Sequence, residues 1–214
     1  MKIKICGMKN PDNIQAVADL YPDYLGFIFY EKSKRYVLDT NRKDFADFML
    51  SATVPTQKVA VFVNEDIKSL IRTASEFDIT TIQLHGEESP EYCEHLRLLG
   101  FTIIKAFGIH ASFDFSILNE YADVCDYYLF DTASKEYGGT GLHFDWNLLK
   151  QYDNSKPVFI SGGLDVDDIA TVYDLLKDIR IHALDFNSKL EVQPGLKALD
   201  KCKKAIELVR TLNT

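Results

Sequence analysis

Eight short apolar runs recur along the chain, and segments with helical marks lie between them. The runs are Ile3–Cys6, Tyr24–Phe29, Lys58–Val63, Thr81–Leu84, Thr102–Phe107, Tyr127–Asp131, Pro157–Ser161 and Ile181–Asn187. Several, such as YLGFIF and VAVFV, are continuously apolar rather than alternating. Such runs fit parallel strands buried on both faces. The intervening segments start on capping signals. Asn10-Pro11 opens one, Asn64 with Glu65 and Asp66 another, and Ser89-Pro90 a third that stops at Gly100. Asp165 with Asp167 and Asp168 opens a further helix, and a last one is expected over about residues 195–210. Asp39–Leu50, Phe115–Tyr121 and Trp146–Tyr152 carry weaker helical patterns.

Repeated β-then-α units imply right-handed crossovers and a parallel sheet. Eight units allow closure into an α/β (β/α)8 TIM barrel. An open doubly wound sheet satisfies the same pattern. With 214 residues, 46% of them hydrophobic, and no linker or low-complexity tract, residues 1–214 are expected to form a single domain.

The net charge of −8 argues against a nucleic-acid or anionic membrane surface as partner. It leaves room for a small phosphorylated molecule, which backbone amides and one arginine can hold. No apolar run is long enough to span a bilayer, and MKIKICGMKN has no signal-peptide pattern. Cys6, Cys93, Cys125 and Cys202 form no CxxC pair, and His85, His95, His110, His143 and His182 show no ligand spacing. A cytoplasmic protein without disulfides or metal is the expectation. The sequence leaves monomer and homodimer open.

In either parallel fold, function gathers at the carboxyl ends of the strands. Cys6-Gly7, Tyr30 to Arg35, Asn64, His85-Gly86, Gly108, Asp131, Ser161-Gly162-Gly163 and Asn187-Ser188 stand there. A thiolate at Cys6 can abstract a proton if cationic neighbours lower its pKa, whereas a buried cysteine is ordinarily inert. Asp131, set among apolar residues, can serve as a general acid or simply cap a loop. Tyr137-Gly-Gly-Thr-Gly141 can fold over a ligand or be a plain surface loop, and it lacks the ending of a Walker loop. Gly162, Gly163, Asn187 and Ser188 follow strands seven and eight, where barrels often bind phosphate. Arg35 can pair with a carboxylate or be one of several solvated basic residues. His85 can donate a hydrogen bond or cap its strand.

Taken in order, KICGMKN at 4–10, GFIFYEKSKRYV at 26–37, IQLHGEE at 82–88, LFDT with YGGTG at 129–141 and FISGGLDVDDI at 159–169 resemble the phosphoribosylanthranilate isomerases. The resemblance runs over nearly the whole chain. It implies a barrel and a cofactor-free Amadori rearrangement by general acid–base catalysis, with Cys6 as base and Asp131 as acid. It further implies that Arg35 engages the anthranilate carboxylate and that His85 and Asp185 line the site. Gly162, Gly163, Asn187 and Ser188 would hold the phosphate. One departure stands out. The family commonly has Ser-Ser-Gly-Val-Glu after strand eight, where this chain has Asn187-Ser188-Lys189-Leu190-Glu191. Lysine in place of a glycine resists a positive φ, so a local change of the loop is expected. Other sugar-phosphate barrels, such as ribulose-phosphate epimerases and indole-glycerol-phosphate synthases, fit the cysteine–aspartate pair less well. A phosphate-ligand sensor on the same scaffold would bind without turnover.

Overall fold

A computed structural model describes residues 1–39, 42–51, 56–131 and 146–212. Eight parallel strands close into a barrel in sequence order. They are β1 (Lys2–Ile5), β2 (Tyr24–Ile28), β3 (Gln57–Phe62), β4 (Thr81–Leu84), β5 (Thr102–Gly108), β6 (Tyr127–Asp131), β7 (Val158–Ser161) and β8 (Ile181–Phe186). Each lies within one or two residues of an apolar run, so burial on both faces was the informative signal. Closure is made by β1 against β8, where Ile3 pairs with Leu184 and Ile5 with Phe186.

Side chains alternate between the two sides of the wall. Inside, Tyr24, Val59, Ile104, Ala106, Leu129, Phe159 and Ala183 pack as one buried cluster. Outside, residues such as Ile5, Phe27, Phe62, Ile82, Phe130 and Phe186 join a larger core under the helices. Among the described residues the α-helices are α1 (Pro11–Ala18), α2 (Arg42–Ser51), α3 (Ile67–Glu76), α4 (Pro90–Leu98), α5 (Ile169–Leu175) and α6 (Leu199–Thr211).

The caps behave as the residue types require. The side chains of Asn10, Asp66 and Ser89 accept from backbone N–H groups at the starts of α1, α3 and α4. Asp165 and Asp168 form a reciprocal capping box ahead of α5. After β5 and β6 the crossovers use 3-10 helices, Phe115–Tyr121 and Trp146–Gln151. Those are two of the segments whose helical pattern was weak.

The chain beyond β8 departs from the expected single long helix. Ser188–Leu190 makes a short 3-10 turn, and β9 (Glu191–Gln193) pairs antiparallel with β10 (Leu196–Lys197). Gly195, at φ 84°, turns between them, so α6 starts only at Leu199. The glycine that looked like a helix start is a hairpin turn.

Candidate active site

One cavity of about 300 Å³ opens at the carboxyl ends of the strands. Cys6, Asp131, His85 and Asp185 line it, and so do Gly162, Gly163, Asn187 and Ser188. Eight of the nine residues singled out in the sequence thus meet at one place. They come from five different strand ends, and β1 and β6 lie three strands apart around the ring.

Cys6 directly follows β1 and is buried. Its sulfur fits because Gly26, on neighbouring β2, has no side chain. A Cβ at position 26 would stand 2.6 Å from the sulfur. Burial pushes the Cys6 thiol above the ordinary thiol range, while the Lys4 ammonium pulls it down, Asp185 pushes it up and Lys197 pulls it down. Lys4 is fully enclosed, and its Nζ donates to Asp185 Oδ2 at 2.9 Å. Burial opposes the Lys4 charge. Asp185 and Cys6 more than offset that, so the ammonium is held above the usual lysine range. A fixed cation thus sits in the barrel two residues before the thiol, where it favours the thiolate.

Asp131 ends β6, across the cavity from β1 and β2. His85 Nε2 lies 3.2 Å from Asp131 Oδ2, and His85 Nδ1 lies 2.8 Å from Gln83 Nε2. The loop carrying His85 is pinned from beneath. Lys105 Nζ donates to the carbonyl of Gly86 at 2.7 Å and lies 3.3 Å from Glu88 Oε2. Glu88 in turn accepts from the backbone N–H groups of Asn64 and Gly86.

The β7 and β8 loops form the other wall. Gly162 (φ 101°) and Gly163 (φ 68°) both adopt the left-handed conformation that a Cβ resists. They bring main chain rather than side chain to the cavity, opposite Asn187, Ser188 and Lys189. Lys189 lies in the 3-10 turn and not among the residues of positive φ, so the loop does not take there the conformation a Cβ resists. Lys189 itself borders the cavity.

Arg35 is the ninth residue. It does not appear in the cavity wall. Its Nε and Nη2 donate to the two Glu191 oxygens at 2.8 and 2.6 Å. Glu191 also accepts from Lys197 Nζ at 2.8 Å, and Lys197 reaches Asn187 Oδ1 at 2.9 Å. Burial works against the charge on Glu191, but these donors bring its carboxyl down to about 2. The network ties the β2 loop to the β8 loop. Gly7, at φ 75°, makes room for it, because a Cβ there would meet Asn187 Oδ1 at 2.5 Å and Arg35 Cδ at 2.7 Å.

Sequence reasoning missed Lys4, Gly26, Gln83, Glu191 and Lys197. The inward phase of β1, β2 and β4 was the available signal for the first three. The YGGTG segment at 137–141 lies outside the described residues. Among the described residues, no three His, Cys, Asp or Glu side chains converge as metal ligands, and no helix is long and apolar enough to cross a membrane.

Residues 3–208 match the family described as N-(5′-phosphoribosyl)anthranilate (PRA) isomerase. The N-(5′-phosphoribosyl)anthranilate isomerase of Parabacteroides distasonis is 41% identical, over 98% of this chain and 93% of its own length. That of Phocaeicola vulgatus is 39% identical, over 92% of both. Phosphoribosyl anthranilate isomerase from Thermotoga maritima superposes with a TM-score of 0.86 at 32% identity, covering 99% of each chain. A further isomerase structure (TM-score 0.83, 29% identity, 99% of each chain) holds reduced 1-(o-carboxyphenylamino)-1-deoxyribulose 5-phosphate.

Proposed function

The chain belongs to the N-(5′-phosphoribosyl)anthranilate isomerase family, and from that membership we propose that Cys6 is the base and Asp131 the acid of its reaction. The reaction is the isomerisation of N-(5-phosphoribosyl)anthranilate to 1-(2-carboxyphenylamino)-1-deoxyribulose 5-phosphate in tryptophan biosynthesis. What supports the assignment is one observation: a thiol and a carboxyl from distant strands line the same cavity.

In the first step Asp131 gives its proton to the furanose ring oxygen. The C1–O bond breaks, the anilino nitrogen supplies its electron pair, and a Schiff base forms. Cys6, as thiolate, then takes the proton from C2. The electrons move to the C1–C2 bond and on to the iminium nitrogen, leaving an enolamine. Protonation at C1, with loss of the proton from the C2 hydroxyl, yields the ketose. Both catalytic steps are proton transfers, so an acid and a base on two sides of a held sugar suffice, and no cofactor enters.

The Gly162-Gly163 main chain with Asn187 and Ser188 is suited to the phosphate end of the substrate. Lys189, at the same wall, adds a positive charge where the family's glycine has none. Asp185 lies near Cys6 and His85 beside Asp131, so both face the sugar. Arg35 would meet the anthranilate carboxylate with the guanidinium edge that Glu191 leaves, Glu191 fixing its plane. The working unit is then a single barrel domain acting on a small phosphorylated molecule, and its free thiols suit a reducing cytoplasm.

The test is kinetic. Asp131→Asn and Cys6→Ala should each lower kcat by about 10²–10⁴-fold, with KM changed only a few-fold. Anthranilate fluorescence reports the turnover. Either variant turning over at the wild-type rate would remove that residue from the mechanism.

A further inference from the structure

We infer that Gln83 is a positioning residue for the isomerisation: it fixes the ring proton of His85 on Nε2, where it donates to Asp131. Gln83 and His85 are two residues apart and face the same side of the wall. Gln83 Nε2 stands 2.8 Å from His85 Nδ1. In the orientation the structure gives the Gln83 amide, its nitrogen faces the ring and can only donate, so Nδ1 is the acceptor and carries no proton. The one proton of the neutral ring then sits on Nε2, which is 3.2 Å from Asp131 Oδ2. The hydrogen bond at one ring nitrogen decides what the other does.

The chemical consequence follows for the acid. When Asp131 hands its proton to the sugar, its O–H bond breaks and the charge stays on the carboxylate. The His85 Nε2–H donates to Oδ2 and stabilises that charge, and His85 itself gives up no proton. With the opposite tautomer, Nε2 would present a lone pair to the new carboxylate and repel it.

A merely structural glutamine fits this position poorly. Gln83 is 1% exposed, and its Oε1 is buried with no hydrogen-bond partner among the described residues. Burying an acceptor in that way is unfavourable. A methionine would fill similar volume without it. The bond to His85 is what the amide supplies and an apolar side chain cannot.

The experiment is 15N NMR of the histidine rings together with steady-state kinetics, with His85→Asn identifying the His85 signals. In the wild-type protein, His85 Nε2 should show the protonated and Nδ1 the unprotonated type of shift. Gln83→Glu places an acceptor at Nδ1 and should move the proton there. Its kcat should fall by about 10–100-fold, the scale of loss seen when the partner that orients a metal-bound histidine is removed, with KM within about twofold. Gln83→Met should give mixed tautomers and a smaller loss of kcat, and it serves if the buried glutamate prevents folding. A wild-type proton on Nδ1 would overturn the inference. So would a reversed tautomer at wild-type kcat, or a loss confined to KM. The kinetic consequence rests on Asp131 as acid, but the ring tautomer does not. Should Asp131→Asn keep its activity while the NMR holds, the acid assignment has failed and not the tautomer.

Discussion

Cys6 has space for its sulfur only because position 26 lacks a side chain. Gly26→Ala should therefore displace the thiol. We expect a stability loss of about 1–3 kcal/mol and a lowered kcat, read by urea unfolding and by the fluorescence assay. A wild-type kcat in that variant would mean the sulfur's position is not critical. Burial holds the Cys6 thiol high, and Lys4 is the largest influence pulling it back. The rate should accordingly climb with pH on the alkaline side of neutrality, as the thiolate fraction grows. Removing the ammonium in Lys4→Met should move that climb to higher pH, and an unmoved profile would refute the pairing. At this scale the sequence was partly legible. Polar residues directly after apolar strands were visible as a set, because such residues have little other reason to stand there. Lys4 and Gln83 were hidden inside strands, where charge or amide reads as an interruption of the apolar run. Glu191 was missed, because its bond to Arg35 spans a separation that no local pattern reveals.

The elements matter through what they hold still. The loop after β4 carries His85, and it is clamped by the enclosed Lys105–Glu88 pair and two backbone N–H groups. Breaking one partner of a buried pair leaves an uncompensated charge, at a cost of about 3–5 kcal/mol. Glu88→Ala should lose stability on that scale in urea unfolding, and its kcat should drop as His85 loosens. A variant as stable as wild type would show that the clamp is dispensable. The β9–β10 hairpin holds the opposite side, because Glu191 and Lys197 link Arg35 to Asn187. Strands and capped helices could be read from the chain, since burial and caps leave local marks. The hairpin could not. Gly195 followed by a periodic run reads equally as a helix entrance, and only the pairing of residues 191–197 decides otherwise.

For the whole molecule, closure is the decisive event. Ile3 meets Leu184 and Ile5 meets Phe186, pairs separated by about 180 residues, and pattern alone left an open sheet standing beside the barrel. Closure also shapes the end away from the site. There His182 Nε2 lies 2.7 Å from the Tyr24 hydroxyl, with Tyr127 and Phe159 against its ring. Burial, with Lys2 adding to it, brings His182 down to about 4. An unfolded histidine titrates near about 6.5. Between those values the unfolded chain takes up a proton that the folded one refuses, so stability falls as pH drops from about 6.5 towards 4. His182→Gln should flatten that part of the urea-unfolding profile, and parallel curves would contradict it. The same closure brings β1 within one cavity of β6, and the proton abstraction proposed for the Cys6 thiolate depends on it. The most direct measurement uses substrate carrying deuterium at C2 and follows the label into water. Wild-type protein should release it with turnover, and Cys6→Ala should release it at least about 10²-fold more slowly. Release by Cys6→Ala at the wild-type rate would contradict the account.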